Sequence, residues 1–401
     1  MSIYQIQGLL FSINFNLYSS KITNQKGFVM KHFLYSALAI FLLVGCSQKP
    51  KSEVDTPEYH FKVGMRAVET GEYNAALTSF QRSVDLDKKF APGYCGLGLA
   101  HAHLGNVKEA KKNVDKGVSK GSKDPDVLAL GARAWITLRE HEKKWFKRAS
   151  KLLDKALKRK KNHEASLYYY GVAHLYNYDL VEAESYFRKV VGKKGAYAGK
   201  ADAKWNLVQK IERAMPGTPV GKKVALHEKI TRADLAVLFA EELKISELVA
   251  RMPQQNAGFQ TPGQVNTDGS AAANPSDSKG HWAETWINEM SKLGVLQVSP
   301  DRKFYPDEVI SRAEYAMAVQ SLLVLATKDG GLETRYFGES PSRFSDVPSS
   351  HYAYNAMALC AERGIMHADM ITGNFNPSGP VTGADALLII RGIQSSLRMT
   401  F

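Results

Sequence analysis

Arg232 and Arg312 each follow a hydroxyl residue, Thr231 and Ser311, and stand two positions before an acid, Asp234 and Glu314. A hydroxyl with an acid three residues on is a capping box, so both arginines belong at the first position of a helix, near its positive end. A guanidinium there can pair a carboxylate through two N–H groups, and capping itself does not require one. Thr382 and Asp385 repeat the pattern, but Gly383 takes the arginine's place and leaves a third site without its cation. A different reactive candidate is Cys46, a thiol directly after Gly45 at the end of an apolar run from Phe33 to Val44. The other cysteines lie far away, without the spacing of a metal site or a disulfide framework. His101 and His103 are two apart on an expected helix and face different ways. The chain shows no Gly-rich phosphate loop, no His-Glu-x-x-His and no nucleophile elbow, so neither catalysis nor a cofactor or metal is expected.

These groups sit in a chain of 401 residues with 44% hydrophobic and 23% charged residues, a composition that excludes disorder throughout. The single long apolar run excludes a multi-span membrane protein. The net charge of +13 points to an anionic partner or surface. Between Leu104 and Lys161 there are about 18 Lys and Arg against about 7 acids, most of the excess. Such a segment is either a solvated helix surface or a patch that meets lipid headgroups, lipopolysaccharide or another polyanion.

Met30-Lys31-His32 followed by about twelve apolar or small residues reads as an export signal, too short to span a membrane comfortably. Its end, Leu43-Val44-Gly45-Cys46, resembles the lipobox of bacterial lipoproteins. The resemblance implies a signal peptide at 30–45, lipidation of Cys46 and a membrane held through that lipid, with Ser47 pointing to the outer membrane. Residues 1–29 read as an upstream extension outside the native protein, and 46–56 as a tether. Export argues against a nucleic-acid partner.

Residues 57–197 repeat. Gly64, Gly98, Gly131 and Gly171 sit within first helices and Ala76, Ala110, Ala149 and Ala183 within second helices. The Gly-to-Ala offset is twelve except in the third unit, where an insertion around Glu140–Lys144 lengthens it. Small residues let paired helices approach closely, and Phe80, Leu153 and Phe187 fill the space between units. The period of about 34 resembles the tetratricopeptide repeat. The resemblance implies a helical solenoid with a groove for a protein partner, lined by Phe61, Met65, Leu99, Leu128, Trp135, Tyr168 and Tyr176.

Residues 198–396 repeat a different unit. One copy runs from His281-Trp282-Ala283 through Leu293-Gly294-Val295 and Phe304-Tyr305-Pro306 to Ile310-Ser311-Arg312-Ala313-Glu314. Another runs from Phe344-Ser345-Asp346 and His351-Tyr352-Ala353 through Arg363-Gly364-Ile365 and Phe375-Asn376-Pro377 to Thr382. A degenerate copy precedes them, with Trp205 and Ile230-Thr231-Arg232 but no Phe-x-Pro segment, and an inserted loop is expected at 246–276. These units resemble S-layer homology domains. The resemblance implies a mostly helical pseudo-trimeric domain that binds an anionic wall or surface polysaccharide, with Arg232 and Arg312 on the acid. Trp282 and Tyr352 stack on sugar or pack in the core, and Asp346 is a ligand or a turn former. The expected whole is mainly α: a solenoid followed by this domain, in a non-catalytic lipoprotein that grips envelope glycan and recruits a protein. The alternative is an assembly or scaffold lipoprotein for a pilus, secretion or outer-membrane complex.

Overall fold

A computed structural model describes residues 53–250 and 274–398. The chain is mainly α-helical, as expected. It begins with four helical hairpins: α1 (Pro57–Glu69) with α2 (Tyr73–Leu86), α3 (Ala91–His103) with α4 (Val107–Lys120), α5 (Pro125–Thr137) with α6 (Trp145–Arg159), and α7 (Glu164–Tyr176) with α8 (Leu180–Val191). Proline in the first turn of α1, α3 and α5 costs no helical hydrogen bond, because those N–H groups have no intrahelical acceptor. Thr56 and Asp124 cap two of these starts through their side chains. Gly71 and Gly105 take positive φ where the first two hairpins turn.

The small residues do what their spacing predicts. A Cβ on Gly64 would lie 2.6 Å from the Phe80 ring, and one on Gly171 2.6 Å from the Phe187 ring. Ala76, Ala110, Ala149 and Ala183 are fully buried. First helices pack on one another in sequence (α1 on α3, α3 on α5, α5 on α7), so they form an inner row with the second helices outside. The insertion in the third hairpin is a 3-10 turn at Leu138–Glu140 and a short loop, where Glu142 pairs with Lys111 of α4.

Helix α9 (Ala198–Ala214) closes this stack on α8 and also packs against the last helix, α16 (Gly383–Arg398). Between them come α10 (Pro219–Val224), α11 (Arg232–Glu241), α12 (Ile245–Ala250), α13 (Glu284–Lys292), α14 (Arg312–Thr327) and α15 (Tyr354–Glu362). The expected loop at 246–276 begins as α12, and 251–273 lie outside the described residues.

Helix packing in this half is cyclic: α11 meets α13, α14 meets α15, and α16 meets α9. The backbone closes the same circle. Arg232 N donates to Glu308 O, Arg312 N to Gly379 O, and Gly383 N to His227 O, each at 2.9 Å. Ile310 N reaches Ile230 O and Ile230 N reaches Val381 O, so the three cap segments meet near one axis. Thr231 and Ser311 make complete capping boxes with Asp234 and Glu314, and Thr382 caps with Asp385. The Tyr315 hydroxyl, in the core, donates to Ala386 O at 3.0 Å.

Candidate glycan-binding groove

Arg232 and Arg312 follow their caps as predicted, but each side chain already has work inside the ring. Arg232 Nε donates to Phe304 O at 2.7 Å and a terminal nitrogen to Gln297 O at 2.8 Å. Arg312 repeats this with Phe375 O at 2.7 Å and His367 O at 2.8 Å. Their guanidiniums lie 4.8 and 4.6 Å from the ring centres of Phe304 and Phe375. Each arginine therefore pins its own unit to the next, a structural use distinct from helix capping, which does not require it. Burial lowers the pKa of both, opposed by Glu314 near Arg232 and by Asp385 near Arg312.

Asp346 holds the other side of the same peptide. Its carboxylate accepts from Phe375 N at 2.8 Å and Asn376 N at 2.7 Å. With both oxygens on backbone amides it is a loop clamp, in keeping with the turn-forming alternative. Asn376 has φ 58°, a left-handed conformation that such a clamp can hold. Asp277 does the same for Phe304 N and Tyr305 N, at 2.8 Å each, with Tyr305 at φ 56°. The sequence analysis gave Asp277 no role, since it falls just past the loop expected at 246–276. The signal that could have found it is the shared Ser-Asp of Ser276-Asp277 and Ser345-Asp346.

Tyr352 is 75% exposed and Trp282 57% exposed, so neither is a core residue. Tyr352 shares a groove of about 400 Å³ with Arg232. The loop Gln297–Pro300 and the exposed side of α14, including Glu314 and Gln320, form its walls, and Asn355 and Glu333 complete it. An aromatic face, a guanidinium edge and several amide groups in one cleft suit a polyhydroxylated ligand. Arg232 also lies 3.9 Å from Glu314, and its Nε and one terminal nitrogen are engaged by carbonyls, so only its remaining N–H edge is available to a ligand. Arg312, Trp282 and Asp346 do not line this groove. Trp282 sits 6.2 Å from Trp286, whose Nε1 donates to Glu241 at 2.9 Å.

The third interface has no such arginine for a steric reason. A Cβ at Gly383 would stand 1.7 Å from Val224 O, because α10 and Ala225 run where the other units carry their Phe-x-Pro loop. Arg391, farther along α16, supplies the cross-unit donors instead, to Ala214 O at 2.7 Å, Met215 O at 2.6 Å and Glu242 at 3.3 Å. Sequence reading missed Arg391, since it lies outside the repeated motif.

In the helical stack, Leu99 and Leu128 have no exposure, Trp135 has 2% and Tyr168 8%. These four are interior packing, and their place on an open protein-binding groove is corrected. Phe61, Met65 and Tyr176 are half-buried. Phe61 packs against Phe80 and Phe90, and Tyr176 lies under Arg139 at 4.0 Å. Cys46 lies outside the described residues. No helix among the described residues is long and apolar enough to cross a membrane.

Comparison with known proteins agrees with the carboxy-terminal half. Residues 276–316 and 343–387 match the S-layer homology domain. The chain thus carries S-layer homology domains at its carboxy-terminal end, which associate it with the cell wall or cell surface. It is also 32% identical, over 183 residues, to an uncharacterized cell wall amidase of Bacillus anthracis. The alignment covers 45% of this chain and 28% of that protein, so the chain spans less than a third of the relative's length. That relative's name overturns the expectation of a non-enzymatic protein, which rested on missing motifs.

Proposed function

We propose that the protein is a wall-associated envelope protein that holds an anionic polysaccharide in the groove shared by Arg232 and Tyr352. The observation that carries this reading is an exposed tyrosine, in the segment 343–387 that matches the S-layer homology domain, across a cleft from the half-buried Arg232. Residues 198–241 act as a third, degenerate unit, supported by the packing of α16 on α9 and of α11 on α13, which completes the cycle of the other units. The amino-terminal hairpins are tetratricopeptide-like and leave Phe61, Met65 and Tyr176 for a protein partner. Cys46 carries a lipid that holds the chain to the outer membrane.

Tyr352 is the cleanest probe, because replacing so exposed a side chain costs little stability, typically within about half a kcal/mol. Co-sedimentation of the full chain with purified wall polymer should fall at least tenfold for Tyr352→Ala, with an unchanged melting curve. Equal retention by wild type and variant rejects the groove. Release of amines from the sedimented wall, measured in the same tubes, tests the activity for which the Bacillus anthracis protein is named. For the anchor, Cys46→Ser should leave an unprocessed precursor in the wrong fraction, and normal fractionation of that variant rejects lipidation.

A further inference from the structure

The outer faces of α4 and α6 carry a charge density that the grooves do not use. Lys108, Lys112 and Lys116 on α4 are exposed at intervals of four residues, about 6 Å of helix rise each. Lys147, Lys151 and Lys158 are exposed on α6, the second helix of the next hairpin. Acids balance them only in part, with Asp115 exposed among the α4 lysines. Glu109 meets Lys112 at 3.4 Å, Glu142 is taken by Lys111, and Asp154 accepts the Tyr170 hydroxyl at 2.6 Å.

The patch is confined to the two central hairpins. On α2 the one cation, Arg82, is held by Asp55, and on α8 Arg188 meets Glu184 at 3.5 Å while Lys189 lies over the Tyr186 ring at 4.9 Å, so neither helix carries a row of exposed lysines. Like charges four residues apart on a helix repel and destabilise it, so this arrangement is relieved by a bound polyanion. Among the described residues, none of the large exposed hydrophobic side chains falls between Leu104 and Lys161. The face therefore offers no wedge for a bilayer and no aromatic platform for nucleobases.

We propose that this face binds a linear acidic polysaccharide, one carrying a carboxylate on each repeating sugar, at a site separate from the inter-unit groove. Regularly spaced lysines match regularly spaced acids along such a chain, and the contact is electrostatic throughout. It works whether or not the groove reading holds.

The test uses the full chain with polygalacturonate as probe, and neutral dextran, phosphatidylglycerol vesicles and single-stranded DNA as comparisons. The variant replaces Lys108, Lys112, Lys116, Lys147, Lys151 and Lys158 by Gln. Wild type should bind polygalacturonate but not dextran, with affinity falling at least tenfold between about 50 and 200 mM salt. The sixfold variant should bind at least tenfold more weakly at the lower salt while melting no earlier than wild type. Replacing the exposed Lys279 and Lys292 of the carboxy-terminal half by Gln should leave polygalacturonate binding as in wild type, which ties the binding to this face. Undiminished binding by the sixfold variant, or binding to vesicles or DNA but not to polygalacturonate, overturns the proposal.

Discussion

Replacing Arg312 by alanine removes two charged donors from the Phe375 and His367 carbonyls and the cation from the Phe375 ring. Hydrogen bonds to a charged group contribute roughly 1.5–3 kcal/mol, so Arg312→Ala should lower stability by about 2–3 kcal/mol in urea unfolding. Arg312→Lys should recover only part, since a single ammonium cannot serve both carbonyls. A loss below about half a kcal/mol would show that the clamp does not hold the ring. At the other end of the molecule, His103 is stacked on Tyr73 at 4.4 Å. Burial, helped by Arg133 and Arg139, pushes its pKa down to about 4. The unfolded chain then takes up a proton that the folded chain refuses, so stability present above about pH 6.5 is lost progressively toward pH 4. His103→Gln should flatten the melting temperature against pH across that window, and an unchanged slope contradicts it.

Among the helices, the close crossings set what can be replaced. A Cβ at Gly98 would meet Val114 Cγ2 at 2.5 Å, so Gly98→Leu should overpack the α3–α4 crossing and cost roughly 1–3 kcal/mol, read from thermal melting. Gly383→Ala presses on backbone rather than on a flexible side chain and should cost at least as much; Gly383→Arg cannot restore a third anion site. These two glycines show where the sequence was legible. Gly98 belongs to a period of small residues, and that period carried both the hairpins and their buried alanines. Gly383 looked like a lost arginine because a motif aligns residues within a unit and says nothing of what the neighbouring unit places against them. The same limit hid the arginine clamps. Capping boxes are local and readable, whereas the carbonyls of Phe304 and Phe375 come from some 60–70 residues away. Tyr352 was named correctly as a candidate but not paired with Arg232, because the 120 residues between them meet only through the closed ring.

For the molecule as a whole, α9 is the shared element: it covers the end of the stack and completes the packing of α16. Ala201, Val208 and Ile211 on it are fully buried. Ala201→Glu should therefore lower the melting temperature of both halves together, followed by circular dichroism and by the fluorescence of Trp135 and Trp286. Separate transitions, with one unmoved, would mean that α9 does not join them.

The closed circle of backbone bonds made by Arg232, Arg312 and Gly383 to the neighbouring units has a mechanical meaning. The hairpins form a series in which each holds mainly its neighbours, so under tension they can open one after another, each a small step. The ring has no end from which to peel: parting one junction strains the other two. A chain pulled between its amino-terminal end and a polymer in the groove would extend through its hairpins while the ring kept its grip. The stack would act as a compliant element in series with a stiff clasp.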